Sequence, residues 1–148
     1  MRSERGQTSV ELILVVGAVI LMTISVYPAI KSQTELNKGV TAARDGAIYA
    51  ANMMGLGFTK SGSGITQANK TIKIVGMTYS KGTAVGGLTP VSISFEIQGT
   101  NDDAVGQEIA DHSLKFIYHV FNGNYGISDG ATYVDSEGYR FTVNYTFS

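Results

Sequence analysis

The stretch that decides the fold runs from Leu12 to Ile30 and reads LILVVGAVILMTISVYPAI, nineteen residues without a charge. Its two small polar residues are Thr23 and Ser25. About 20 apolar residues in a row are long enough to cross a bilayer as a helix. The sequence therefore predicts a membrane-spanning helix near the N-terminus.

The residues before this run set its expected orientation. Met1–Gly6 contains two arginines and one glutamate, and positive charge before an apolar span keeps that end in the cytoplasm. The rest of the chain is then exported. A cleaved secretory signal peptide is a competing interpretation, but its apolar stretch is usually about 7–15 residues and ends in an Ala-x-Ala-like site. The nearest candidate, Thr23-Ile24-Ser25, matches that site poorly.

A charged residue, Glu11, stands directly before the apolar run. The segment Gly6-Gln7-Thr8-Ser9-Val10-Glu11 resembles the class III signal peptide of archaeal type IV pilins. In that family a short charged leader ends in glycine, and a Gln-x-Ser-x-Glu motif opens the apolar helix. The matching residues are Gln7, Ser9 and Glu11. Four residues after the glutamate the family usually has a leucine, where this chain has Val15.

The resemblance implies a division of the chain into three parts. A prepilin peptidase would cut between Gly6 and Gln7 and remove residues 1–6 as a leader peptide. Residues 7–57 would form a long helix that spans the membrane before assembly and lies in the filament core afterwards. Residues 58–148 would form a globular domain on the filament surface.

The resemblance also implies an assembly role for Glu11. In the family this glutamate is thought to pair with the new N-terminal amine of a neighbouring subunit. An amine and a carboxylate that share an apolar environment offset part of each other's desolvation. A purely structural role is the alternative, because Thr8-x-x-Glu11 also fits a capping box at the start of a helix.

A helical pattern continues beyond Pro28. Apolar residues recur in steps of three and four, as in a helix with one buried face: Leu36, Val40, Ala43, Ala47, Ala50 and Met54. Small residues form a neighbouring row that would let another backbone approach closely: Gly39, Ala43, Gly46 and Ala50. We predict one helix from about Thr8 to about Met54, with a helix–loop–helix break near Gly39 as the alternative.

In the second half of the chain the apolar period changes to two, which is typical of strands with one buried face. Strands are predicted at Thr71–Tyr79, Val91–Gln98, Leu114–Phe121, Ala131–Val134 and Tyr139–Phe147. The predicted fold class is α+β: a long N-terminal helix, hydrophobic and then amphipathic, followed by a small antiparallel β domain. That domain is either a sheet packed on the upper helix or a sandwich; the family resemblance implies an immunoglobulin-like sandwich.

Composition indicates a chain without catalytic machinery. It has no cysteine, which excludes a disulfide framework and a thiolate site, and its net charge of −1 argues against nucleic acid as a partner. His112 and His119 are expected to be half-exposed strand residues. The acidic turns Asn101–Asp103 and Asp135–Gly138 lack the spacing of an EF-hand. We predict no enzyme activity, no cofactor and no metal site.

Two triplets fit the Asn-x-Ser/Thr acceptor pattern of N-glycosylation: Asn69-Lys70-Thr71 and Asn144-Tyr145-Thr146. In an exported chain both asparagines are candidate glycan sites. Asn69 is expected in a loop before a strand, and Asn144 on the polar face of the last strand.

These features together predict a structural subunit of an extracellular archaeal type IV pilus that serves surface adhesion. Its expected partners are identical subunits in a helical filament, the prepilin peptidase, the assembly machinery and, before assembly, the membrane. Two alternatives stay open: a monomeric membrane-anchored binding module, and an archaellin-like filament subunit. An alanine- and glycine-rich start, which would favour an archaellin, is missing.

Overall fold

The computed structural model describes residues 4–57, 71–122, 124–128 and 131–148. In chain order the elements are α1 (Glu4–Gly55), β1 (Lys73–Lys81), β2 (Thr89–Gln98), α2 (Asp103–Phe121), β3 (Asn124–Ser128), β4 (Ala131–Asp135) and β5 (Tyr139–Phe147). The chain divides into two compact units, Met1–Glu35 and Leu36–Ser148, and α1 contributes residues to both. The α+β class predicted from the sequence is confirmed.

Helix α1 is continuous through Pro28 and Gly39, so the alternative of a break near Gly39 is wrong. The helix also begins earlier than the sequence indicated, at Glu4 rather than at Thr8. A capping residue must lie at the non-helical entrance of a helix. The backbone of Thr8 lies inside α1 and not at its entrance, where the predicted capping box would place it.

The five strands of the second unit form one mixed sheet in the order β1-β2-β5-β4-β3. Strands β2 and β5 are parallel, and the other neighbouring pairs are antiparallel. The prediction of a purely antiparallel domain therefore needs correction. Of the two arrangements left open, the described residues of the second unit form the single sheet packed on helices and not the immunoglobulin-like sandwich.

The predicted strand Leu114–Phe121 is wrong, because this segment is the second half of helix α2. Its apolar residues alternate well enough to resemble a strand. The helix begins at an N-cap, Asp102, whose side chain accepts a hydrogen bond from the Ala104 backbone N–H at 2.9 Å. It ends at Asn122, whose left-handed backbone (φ 51°) favours a helix C-terminus. Among the described residues, α2 buries positions with helical spacing: Gly106, Ile109, Ser113, Leu114 and Ile117.

The other predicted strands match the structure closely. Strand β5 has the predicted bounds, and β1, β2 and β4 differ from their predictions by one or two residues at their ends. Strand β3 was not predicted; it has five residues and begins two positions after the end of α2 at Asn122. A short edge strand carries too few alternating positions to be recognised from the sequence.

Both helices of the second unit cover the same face of the sheet, which we call the inner face. Strand β2 contributes four fully buried side chains to it: Val91, Ile93, Phe95 and Ile97. Gly39 of α1 lies against the ring of Phe141 in β5, and a Cβ at position 39 would approach Phe141 Cε1 to 2.6 Å. Gly106 of α2 lies against the ring of Tyr145 in the same strand. The inner face of β5 thus fixes the positions of both helices.

Helices α1 and α2 approach each other closely at Gly46. A Cβ at this position would lie 2.7 Å from both the carbonyl oxygen of His112 and the Cα of Ser113. Two further members of the predicted small-residue row, Ala43 and Ala50, are buried. At Gly46 the row admits another backbone as predicted, that of α2, whereas at Gly39 it admits the ring of Phe141.

Replacing Gly46 by alanine is expected to destabilise the second unit by about 1–3 kcal/mol, the usual effect of overpacking. The new methyl group meets backbone atoms, which cannot rotate away. Thermal unfolding of the whole chain in detergent, followed by near-UV circular dichroism, measures the effect. Gly55→Ala is the matched control, because a Cβ at position 55 has no atom within 4 Å. Equal melting temperatures for the two variants would contradict the close helix crossing.

Candidate functional site

The first unit presents an apolar surface on all sides of α1. Between Leu12 and Ile30, thirteen large apolar side chains are exposed, each with 49–70% of its surface accessible. A helix that is hydrophobic all round is typical of a buried or membrane-spanning element. This surface, which we call the apolar segment, is the largest exposed apolar feature of the described residues.

The two small polar residues of the apolar segment direct their hydroxyl groups to their own helix. Thr23 Oγ1 donates to the Val19 carbonyl oxygen at 2.9 Å, and Ser25 Oγ donates to the Leu21 carbonyl oxygen at 2.8 Å. These bonds span four residues back along the chain. Each hydroxyl therefore has a partner without water, as a lipid or protein environment requires.

Within the part of the chain that the structure describes, α1 is the one helix whose length and composition suffice to cross a membrane. The candidate span is Ser9–Gly55, with a mean hydropathy of 2.4 in its most apolar window and none of that window buried. A core helix of a soluble protein can reach similar hydropathy, but such a helix is mostly buried. A membrane anchor and a signal sequence both satisfy this description.

The motif residues lie at the N-terminal end of the apolar segment. Gly6 and Gln7 belong to the first turns of α1, while Ser9 and Glu11 have exposed side chains. Since a helix rises 1.5 Å per residue, the backbone nitrogen of Gln7 lies about 6 Å along the axis from the level of Glu11. The carboxylate and the predicted cleavage junction are thus about one turn apart.

The face of the sheet opposite the helices, which we call the outer face, is covered by small polar groups. The strand register places hydroxyl-bearing residues of β1, β2 and β5 beside one another on this face: Thr78, Ser80, Ser92, Ser94, Thr142 and Thr146. Asn144 stands among them with an exposed side chain, and its Nδ2 donates to Ser92 Oγ at 2.9 Å. The expectation that Asn144 lies on the polar face of the last strand is confirmed. Asn69 lies outside the described residues.

A charged pair on the outer face was not predicted from the sequence. Arg140 in β5 donates from Nε and Nη2 to the two carboxylate oxygens of Asp135 in β4 at 2.8 and 2.9 Å. Its guanidinium also lies over the ring of Tyr133, 4.1 Å from the centroid. The hydrogen bonds to Asp135, reinforced by charge attraction and opposed by desolvation, raise the pKa of Arg140. This cluster ties β4 to β5, and recognising it required the strand register.

Both histidines lie on α2 rather than on a strand, which corrects the sequence-based expectation. His112 Nε2 lies 3.0 Å from Glu108 Oε1, and its ring contacts the edge of Tyr49 with centroids 5.8 Å apart. His119 lies in the last turn of α2. Of the acidic turns, Asp102 caps α2. No group of three or more His, Asp or Glu side chains able to hold a metal occurs among the described residues.

Comparison of the chain with protein-family models, with curated proteins and with solved structures gives no significant match. The functional argument therefore depends on the motif residues and on the apolar segment.

Removing residues 1–31 is expected to leave a soluble, folded monomer, because the buried face of α1 begins at Leu36. The full chain should need detergent or lipid to stay dispersed. Size-exclusion chromatography without detergent and a proton NMR spectrum with dispersed methyl signals would check this. Aggregation of the shortened chain would mean that the second unit does not fold by itself.

Proposed function

We propose that this chain is the subunit of an extracellular filament of the archaeal type IV pilus class. The observation that carries the proposal is the apolar segment, which is continuous in one helix with the buried face of the second unit. Before assembly the apolar segment spans the membrane. After assembly, the same segments of neighbouring subunits cover one another in the filament core.

The size of the exposed apolar surface requires a cover of this kind. Burying a fully exposed large apolar side chain stabilises by about 1.5–3 kcal/mol. Because these thirteen side chains are 49–70% exposed, covering the rest of their surface is worth about 10–25 kcal/mol. A surface of this size favours association with lipid or with other apolar surfaces over exposure to water.

The motif at the head of the apolar segment favours a filament over a simple anchor. An anchor needs neither a glycine–glutamine junction nor a carboxylate at the edge of the span. Cleavage before Gln7 would create an amine about one turn from Glu11, too constrained for good pairing within one helix. Between subunits offset along a filament, the amine of one subunit can meet the carboxylate of another.

A monomeric membrane-anchored module is the second candidate function, and the hydropathy of α1 supports it equally well. The two functions predict different N-termini for the surface-exposed protein and different effects of replacing Glu11. Two experiments distinguish them. The archaellin-like alternative predicts the same cleavage and is distinguished by the morphology of the filament.

The surface-exposed form of the protein is expected to begin at Gln7, because a prepilin peptidase cuts after the terminal glycine of a short leader. Intact-mass measurement and N-terminal sequencing of material sheared from cells would show the loss of residues 1–6. A form that starts near Val26 would instead indicate a secretory signal peptide and would remove the basis for a filament.

Replacing Glu11 by glutamine is expected to leave cleavage and membrane insertion unchanged and to reduce filament number more than tenfold. The substitution retains size but leaves the buried amine without a counter-charge, a loss of about 3–5 kcal/mol. Negative-stain microscopy counts the filaments, and immunoblotting measures the processed subunit. Asp45→Asn is the matched control, since it removes an exposed carboxylate from the same helix outside the apolar segment. Wild-type filament numbers for Glu11→Gln would exclude the assembly role.

The second unit would then be displayed to the medium, where the filament would serve adhesion. Its outer face carries the hydroxyl groups and Asn144 described above, and exported chains receive glycans at Asn-x-Ser/Thr triplets. We propose that Asn69 and Asn144 are N-glycosylated. Sugars on the outer face would hydrate a strand-rich surface and hinder pairing between sheets.

A further inference from the structure

The acceptor triplet Asn144-Tyr145-Thr146 lies in an interior strand of the sheet. Strand β5 lies between β2 and β4, and the triplet pairs in parallel register with Ser94, Phe95 and Glu96 of β2. Acceptor triplets are expected on surface loops, where a transferase can reach them. This triplet is instead held along its length by a neighbouring strand.

Both side chains that define the triplet are engaged in the folded sheet. Asn144 Nδ2, the atom that would carry the sugar, donates to Ser92 Oγ at 2.9 Å. Thr146 Oγ1 donates to the Phe95 carbonyl oxygen at 3.5 Å, a long bond. The reacting nitrogen and the hydroxyl that completes the acceptor pattern are therefore both directed at β2.

The middle residue holds the triplet in place from the other side of the sheet. Successive side chains of a strand point to opposite faces, so Tyr145 lies on the inner face, under α2. Its hydroxyl donates to the Asp103 carbonyl oxygen at 3.3 Å. Its ring lies so close to Gly106 that a Cβ there would be 2.7 Å from Tyr145 Cζ. A transferase that encloses the triplet would have to withdraw Tyr145 from this contact.

From this geometry we infer that Asn144 accepts its glycan before β5 joins the sheet and not afterwards. The transfer uses a sugar donor activated by a phosphate leaving group. Asn144 Nδ2 attacks the anomeric carbon, a C–N bond forms, and the C–O bond to phosphate breaks with its electron pair going to the phosphate. One proton leaves Nδ2 for a base, and one N–H remains.

The folded sheet excludes the reaction but accommodates its product. Asn144 is exposed on the outer face, so an attached sugar projects into solvent over the hydroxyl groups of β2. The N–H that remains on Nδ2 can still donate to Ser92. Glycosylation before folding is therefore compatible with a native sheet, and a glycan at Asn144 identifies chains that were modified while unfolded.

The inference rests on the proposed export of the second unit, but its test needs no filament. Purified, unglycosylated full-length chain in detergent and a synthetic peptide of residues 139–148 are incubated in one reaction with an archaeal oligosaccharyltransferase and its lipid-phosphate-linked sugar donor. Glycopeptide mass spectrometry follows Asn144 in both substrates. The peptide reports enzyme activity in the presence of the folded chain.

We expect the peptide to be modified at least tenfold faster than Asn144 of the folded chain. Gly106→Val places a side chain where the ring of Tyr145 lies. Whether it only displaces Tyr145 from α2 or unfolds the second unit, the rate of glycosylation at Asn144 should rise towards that of the peptide. Gly55→Val, where the added side chain begins in open space, should behave as the wild type.

Equal rates for the folded wild-type chain and the peptide would overturn the inference, as would an unmodified peptide or a Gly106→Val variant no faster than the wild type. None of these results depends on whether Glu11→Gln forms filaments.

Discussion

The close approach of α1 to α2 at Gly46 is the contact on which the second unit depends. Backbone atoms of His112 and Ser113 occupy the space where a side chain at position 46 would begin. Beside this contact both helices cover the inner face of one sheet, α1 over Phe141 and α2 over Tyr145. The two aromatic rings lie on β5, so this strand organises the core, and the strands on either side of it complete the sheet.

The same helix meets two different requirements along its length. In the second unit α1 buries one face, made of alanine and glycine with Leu36 and Met54 at its ends, and exposes polar residues together with Ile48 and Tyr49. In the first unit it is apolar on every side, and its hydroxyl groups are bonded within the helix. Among the described residues nothing covers the most apolar window of this surface, and a bilayer or neighbouring copies of the chain would supply such a cover. The proposed filament subunit uses both in succession, and Glu11 stands at the N-terminal end of the apolar segment.

The two faces of the sheet differ in role: the inner face forms the apolar core, and the outer face is polar. The inner face carries the large apolar side chains that hold the helices, while the outer face carries hydroxyl groups, Asn144 and the Arg140–Asp135 pair. Because side chains alternate along a strand, one acceptor triplet takes part in both faces. Asn144 and Thr146 lie on the outer face, and Tyr145 lies on the inner face. Because the triplet has side chains on both faces, we infer that glycosylation of Asn144 depends on whether β5 has joined the sheet.

The sequence by itself determined the long helix, its apolar segment, its buried stripe and the strands β2 and β5. These features depend on local periodicity, which is present in the order of residues. It did not determine helix α2, whose second half alternates like a strand. There the N-cap at Asp102 and the burial of residues such as Ile109 and Ile117 against the sheet decide between the two structures. The parallel pairing of β2 with β5, the Arg140–Asp135 pair and the anchoring of Tyr145 were decided by the tertiary structure alone. Each joins residues distant in the chain or on different strands, and their proximity follows from the sheet order, which no local pattern encodes.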